Sequence, residues 1–438
     1  MKKYISLVII IFVVLLIGCS SKIVNQGGTT SADPGSKESG GGGWFGYEEG
    51  GSRSDDDSPY AYDSAFSGAS GSSGAISGED GAINTKIPAG QLTASATMDN
   101  QKYDFWHSLV TSNQEGAGIF QSYDKDFAFK SANRIALSFP KGTSAKVSLL
   151  NDDNVEFVGL TDANGMCYVF AKEERNSYKL KIDYLDKDGN LVTIEDEVSG
   201  DKAYNLEVTE VSSDLIEIMF VIDATGSMGD EIKYLQAEIT DVIKKVKEAN
   251  NNVRILLSIM MYRDQNDEYI TLYNDFTEDI NAQLEFLNAQ SAQGGGDFPE
   301  AVEVAFAKAA AQQWTSGTST KILVHVADAP AHNKDVASWA GTVDKFASLG
   351  VRILTIASSG IDKQTEYFFR CQSILTNGVY VHLTNDSGIG GDHIGATTEE
   401  KEEVELLNDC LVRLINGFHT GDFGEAIYWR QSQSTPLS

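Results

Sequence analysis

Three oxygen-bearing side chains, Asp223, Thr225 and Ser227, stand at alternate positions inside the stretch LIEIMFVIDATGSMGD (215–230). A carboxylate and two hydroxyls are hard oxygen donors, suited to Mg²⁺, Mn²⁺ or Ca²⁺ rather than to softer metals. The run before them, Leu215, Ile216, Ile218, Met219, Phe220, Val221 and Ile222, is short and mostly apolar. It reads as a strand covered on both faces, as in a parallel sheet with helices on each side. After them Met228, Ile232, Leu235, Ile239, Val242 and Val246 recur every three or four residues, which is one face of a helix. Oxygens at the carboxyl end of a central strand sit where open α/β sheets bind ligands. The competing reading is a capped helix, with Thr225 or Ser227 as N-cap and Asp223 as a turn residue.

The elements around this stretch alternate. Over 213–420, strands are expected at 252–262, 268–273 (a short edge), 321–327, 351–357 and 379–383. Helices are expected at 278–287, 299–313, 335–349, 362–375 and 401–415, the second with Pro299 at its first position and Glu300 in its first turn. Repeated β-α units predict a doubly wound, mostly parallel sheet, an α/β domain. Residues 88–212 read differently. Alternating runs at 134–139, 145–150, 155–160, 167–171, 178–184, 191–198 and 204–211 are separated by Gly, Asn and Asp turns, which predicts an all-β sandwich. Asp152, Asp153 and Asp186 in those turns read as solvated. Residues 421–438 are left as a C-terminal tail.

The N-terminal part has two further segments. Lys2 and Lys3 precede an apolar run at 5–17, then Gly18 and Cys19. The run is short for a membrane helix and has the layout of a signal peptide, 1–19. Residues 20–87 are rich in Gly, Ser and Asp and cannot bury enough apolar surface to order themselves. As a flexible tether, roughly 68 residues reach about 45 Å on average.

Lys and Arg number 34 against 63 Asp and Glu, a formal charge of -29. That balance argues against a nucleic-acid partner, whose phosphates need basic contacts. Four cysteines, at 19, 167, 371 and 410, contain no C-x-x-C pair. Cys371 and Cys410 fall in one expected domain and can pair in an oxidising compartment, or remain free buried thiols. There is no G-x-S-x-G, P-loop or H-E-x-x-H, and no paired acid and base to which a reaction can be assigned. The expected role is binding rather than catalysis, with assembly or scaffolding, or a metal-dependent hydrolase, as rivals.

Several motifs carry resemblances. LIGC at 16–19 resembles the bacterial lipobox, which implies lipidation of Cys19 and an extracytoplasmic, envelope-anchored chain at an outer membrane or cell surface. VSLLNDDNVEFVGLTDANGMCYVF (147–170) resembles the carboxypeptidase-regulatory or transthyretin-like sandwich, and QLTASATMDNQKYDFWHSL (91–109) resembles a segment preceding such sandwiches. The region from 213 to 420 resembles the von Willebrand factor type A domain. YRDQNDE (262–268), DAPAH (328–332) and FFRCQSILTNGVYVHLTND (368–386) resemble its bacterial and protist members. That family builds a metal-ion-dependent adhesion site from D-x-S-x-S, a Thr in a second loop and an Asp in a third. Asp223, Thr225 and Ser227 match the first part and Asp328 the third. In the second loop, GGGDFPEAV (294–302), Gly296 falls at the threonine position and Asp297 can supply an oxygen instead. The resemblance implies a divalent cation, Mg²⁺ first and Mn²⁺ or Ca²⁺ after it, contacted by Asp223 and Ser227, with Thr225 and Asp328 holding its waters. It also implies a protein or surface partner offering an acidic residue. Asp264 and His332 can border the same rim but read first as a strand-end turn residue and a loop histidine, His325 reads as a core residue, and Asn385, Asp386 and Asp392 as a solvated loop.

Overall fold

The computed structural model describes residues 87–429, apart from 115 and 400. The expected signal peptide, Cys19 and all but the last residue of the tether lie outside the described residues. These described residues fall within one compact unit, Thr85–Ser438.

In chain order the elements begin with β1 (Thr93–Thr97), α1 (Tyr103–Thr111) and α2 (Gln121–Asp126). Short strands follow: β2 (Asn133–Ser138), β3 (Ala145–Asn151), β4 (Asn154–Leu160), β5 (Met166–Ala171), β6 (Tyr178–Leu185), β7 (Leu191–Val198) and β8 (Lys202–Ala203). The second series is β9 (Leu215–Asp223), α3 (Ile232–Ala249), β10 (Arg254–Tyr262), β11 (Thr271–Thr277), α4 (Ile280–Asn288) and α5 (Val302–Ala310). It ends with β12 (Thr320–Ala327), α6 (Val336–Leu349), β13 (Val351–Ala357), α7 (Lys363–Leu375), β14 (Val379–Leu383), β15 (Glu405–Leu406) and α8 (Leu407–Thr420).

One eight-stranded sheet runs β11-β10-β9-β12-β13-β14-β1-β15. Its centre, β10 through β14, is parallel, and β11, β1 and β15 pair antiparallel. Every residue of β9 is buried. Its alternate side chains feed two cores, because successive strand residues point to opposite faces. Met219 and Val221 pack with Val302, Phe306, Trp339 and Phe346 of α5 and α6. Ile216, Ile218, Phe220 and Ile222 pack with Leu235, Ile239 and Val242 of α3 and with Leu411 and Leu414 of α8. This is the two-sided covering that the apolar run predicts.

The expected boundary at 212/213 does not hold. β1, which the sequence reading placed with the sandwich region, is a strand of the large sheet between β14 and β15. Leu92 and Ala94 enter the core on the α3 side. The Glu238 carboxylate on α3 accepts the backbone N–H groups of Gly90, Gln91 and Leu92 at 2.8, 2.7 and 3.1 Å. Residues 133–203 are therefore inserted between two strands of one sheet. They form a three-stranded sheet, β5-β2-β8, and a four-stranded sheet, β4-β3-β6-β7. Both bury apolar side chains, such as Leu137 and Val169, or Val147 and Ile182, in the cluster that also holds Trp339 and Phe346. The Asn377 side chain donates to Asp162 at 3.0 Å, and Arg352 donates to the Thr161 carbonyl at 3.1 Å.

Smaller differences follow from local chemistry. The run expected as a strand at 204–211 contributes only an isolated bridge, Asp186 to Val208. The edge strand starts at Thr271, the last helix at Leu407, and α5 at Val302 rather than 299. Residues within the expected tail return to the sheet edge, where Tyr428 bridges Glu405. Cys371 and Cys410 do not pair. Both are free and buried, Cys371 on the α7 side of the sheet and Cys410 on the α8 side.

Candidate metal centre

β9 ends at Asp223, which is fully buried. Its Oδ1 accepts the Thr225 N–H at 2.8 Å and the Thr225 hydroxyl at 2.7 Å. The hydroxyls of Thr225 and Ser227 lie 3.2 Å apart. Residues Gly226–Asp230 make a single 3₁₀ turn before α3, and Thr225 makes no side-chain capping bond to it. The N-cap half of the capped-helix reading therefore fails, since the Thr225 hydroxyl is taken by Asp223, whereas Asp223 does hold the turn by accepting the Thr225 N–H. Ser227 is exposed, so the group opens to solvent on that side.

Asp328 follows the last residue of β12, the strand that pairs in parallel with β9. The two aspartates thus emerge side by side at the carboxyl edge of the sheet. Asp223 Oδ2 and Asp328 Oδ1 are both buried without a hydrogen-bond partner, as is the Ser358 hydroxyl. Burial, then the Asp328 charge, pushes the Asp223 carboxyl up to about 7. Burial pushes Asp328 up to about 6, against a Ser227 hydrogen bond and with the Glu231 and Asp230 charges adding to the rise. Two like charges in one buried place each disfavour ionisation of the other.

The second loop packs directly on the first. Gln293 donates to the Ala224 carbonyl at 2.9 Å, and Gly226 donates to the Gly294 carbonyl at 3.0 Å. Gly294 and Gly295 have φ of +80° and +76°. A Cβ on Gly295 would lie 3.0 Å from Glu300 Oε1 and 3.2 Å from Thr225 Cβ. Only glycine fits there without strain. Gly295 donates to Asp267 at 2.8 Å, which ties in the turn after β10. Asp297 is exposed, and the carboxylate this loop buries is Glu300. Glu300 is held by its N–H on the Pro330 carbonyl at 2.9 Å and by a bridge to Ala331. Its Oε2 is buried with no partner. Burial, then the charges of Asp223, Asp264, Asp328 and Asp267, pushes it up to about 9.

A sequence profile of the von Willebrand factor A domain matches residues 217–388, from the third residue of β9 through all three loops and β14. Residues 217–388 are a von Willebrand factor A domain. Among relatives, the chain is 30% identical over 169 residues to an ariadne-like RING finger protein of Acanthamoeba polyphaga mimivirus, covering 38% of this chain and 15% of that protein. It is 24% identical over 161 residues to the alpha-protein kinase vwkA of Dictyostelium discoideum, covering 36% and 25%. The chain therefore spans a quarter or less of these relatives. Among solved structures, conserved hypothetical protein BatB of Bacteroides thetaiotaomicron aligns at 12% identity and a TM-score of 0.30, over 38% of this chain and 89% of that one.

Within the A domain, the structure brings Asp223, Thr225, Ser227 and Asp328 together, while Asp297 is exposed on the second loop. Around them, Asp264 lies 3.0 Å from His332 Nε2, and the Asp264 charge acts on Glu300. His325 is a core residue: Gln372 donates to its Nδ1 at 2.9 Å, Tyr262 lies 3.1 Å from its Nε2, and burial lowers it to about 3. Three residues were missed in the sequence. Glu300 read as an ordinary helix-start acid. Glu231, buried at the entry to α3, pairs with His393 at 2.9 Å, and Asn385 Oδ1 accepts from the His393 N–H at 3.0 Å. No motif signals that pair, because its halves lie far apart in sequence.

Among the described residues, no three His, Cys, Asp or Glu side chains close into a metal cage. The donor set instead mixes two carboxylates with two hydroxyls. Unpartnered buried oxygens on Asp223 and Asp328 suit a hard divalent cation, which would supply the charge they lack.

Proposed function

We propose that the chain is an envelope lipoprotein, anchored through Cys19, that binds a protein or surface ligand at the carboxyl edge of its A-domain sheet. The observation that carries this reading is the pair of unpartnered, buried carboxylate oxygens on Asp223 and Asp328 beside the exposed Ser227. A divalent cation, Mg²⁺ first, would be held by Asp223 and Ser227, with Thr225 and Asp328 completing the group. It would act as a Lewis acid toward an oxygen of the partner. The chain's own residues do the positioning: Thr225 fixes one Asp223 oxygen, and the glycine loop keeps the approach narrow. The role is recognition, not turnover. The two small sheets serve as a β-sandwich insert that widens the folded unit, and residues 20–87 as its tether.

The third buried carboxylate, Glu300, favours a second reading in which the cation is structural and the chain is a scaffold. The experiment is capture from envelope fractions by the wild type and by Asp223→Ala, in Mg²⁺ and in chelator. Proteins retained only by the wild type in Mg²⁺ support recognition through the cation. Equal retention in all four conditions would refute it and leave the scaffold.

A further inference from the structure

The second loop lacks the hydroxyl that its resemblance calls for, since Gly296 stands in that place. The structure offers a replacement a few residues on. α5 begins at Val302, so Glu300 is not in a helix but in extended backbone bridged to Ala331, three residues beyond Asp328. Its Oε1 faces the space above Gly295, where a Cβ would lie between Glu300 and Thr225. Its Oε2 is buried and unpartnered, as are Asp223 Oδ2 and Asp328 Oδ1. Glu300 is only 3% exposed. Among the described residues no basic group is paired with it; Arg263, the nearest arginine in sequence, is turned to the carbonyls of Ala224 and Ser291. Burying a third carboxylate beside two others is costly unless positive charge arrives from elsewhere.

We infer that Glu300 is the carboxylate which the second loop contributes to the cation group from its outer side, in place of the missing hydroxyl. This rests on the reading of Asp223 and Asp328 as the cation site. Because the three carboxylates do not close into a cage, Glu300 acts from the outer side of the group, by its charge and its free oxygen, as a positioning residue. Three carboxylates against two positive charges leave the group net negative. Asp297 and Phe298, three and two residues before Glu300, are exposed.

The test is calorimetric titration of the purified full chain with Mg²⁺ and with Mn²⁺, comparing the wild type with Glu300→Gln and Glu300→Asp. Thermal unfolding in chelator runs beside it, to establish that the variants fold. A positioning carboxylate of this kind is worth about 10- to 100-fold in metal affinity. Glu300→Gln should lose at least tenfold, Glu300→Asp less, and Glu300→Gln in chelator should melt no lower than the wild type. Wild-type binding that Glu300→Gln retains within twofold would overturn the assignment of Glu300 while leaving the Asp223 site intact. A wild type that binds neither cation would overturn both. Loss of binding in Glu300→Gln together with a lower melting point in chelator would also overturn it, since that is the behaviour of a packing residue.

Discussion

Replacing Asp223 by Asn should change stability in opposite directions with and without a cation. In chelator, the wild type keeps Asp223 fully buried with one oxygen unpartnered and the Asp328 carboxyl alongside. Asn keeps an oxygen for the Thr225 bonds and removes the charge. Relieving a buried unpartnered charge is worth about 1–3 kcal/mol, so the variant should be the more stable protein there. At a cation concentration about 100 times its dissociation constant, the wild type gains about 2.7 kcal/mol and the variant almost nothing. For the unit Thr85–Ser438, an unfolding entropy of roughly 2.1 cal/mol/K per residue turns 2.7 kcal/mol into a rise of about 4 °C. Differential scanning fluorimetry of both proteins, in Mg²⁺, Mn²⁺ and chelator, reads the crossing directly. A wild type whose midpoint ignores all cations would refute the reasoning. So would a variant less stable than the wild type in chelator, because the Asp223 charge would then be compensated within the protein itself.

Other parts of the unit give separate tests. Arg370 is fully buried between Asp99 and Glu366, at 3.0 Å from the first and 3.1 Å from the second. Arg370→Ala strips Asp99 of its buried cation, while Glu366 keeps Lys363 at 2.6 Å and the Thr397 N–H at 2.7 Å, and should cost about 3–5 kcal/mol by urea unfolding. Glu238→Ala removes the acceptor of three N–H groups at the start of β1, and should cost about 2–3 kcal/mol with faster hydrogen exchange confined first to residues 90–97. Burial raises Asp344 to about 7 while the Lys172 charge opposes it, so between about pH 4 and 7 the folded chain holds more protons than the unfolded one. This residue's contribution therefore falls as pH rises through that window, and Asp344→Asn should flatten the urea midpoint between pH 5 and pH 8. Free, buried Cys167, Cys371 and Cys410 should resist alkylation in the native protein and react fully once unfolded without reductant.

The central strand was legible because burial on both faces writes itself as an uninterrupted apolar run, and Asp223 because a carboxylate ends that run. Asp328 was legible for the same reason after β12. β1 was not. TASAT is small and polar, and its place in the sheet comes from partners elsewhere: the Glu238 carboxylate and the Thr384 hydroxyl, which lies 2.8 Å from that of Thr93. A strand whose pairing is set by contacts nearly 150 and 300 residues away leaves no local period to read. Mistaking it moved a domain boundary, because an insertion between β1 and β9 looks in sequence like a domain that comes first.

Glu300 was hidden by a correct rule applied one turn too early. Proline followed by an acid is how helices start, and the sequence offers Pro299-Glu300 before an alanine-rich run. The chain instead bridges to Ala331 at Glu300, whose N–H is taken by the Pro330 carbonyl in the loop that follows Asp328, and the helix starts at Val302. That bond comes from the neighbouring strand, so only the assembled sheet can supply it. The same bond turns a solvent-facing helix acid into a buried carboxylate beside Asp223. Asp297, which the resemblance put forward, is exposed just after the two glycines of positive φ, and the carboxylate buried by this loop is Glu300.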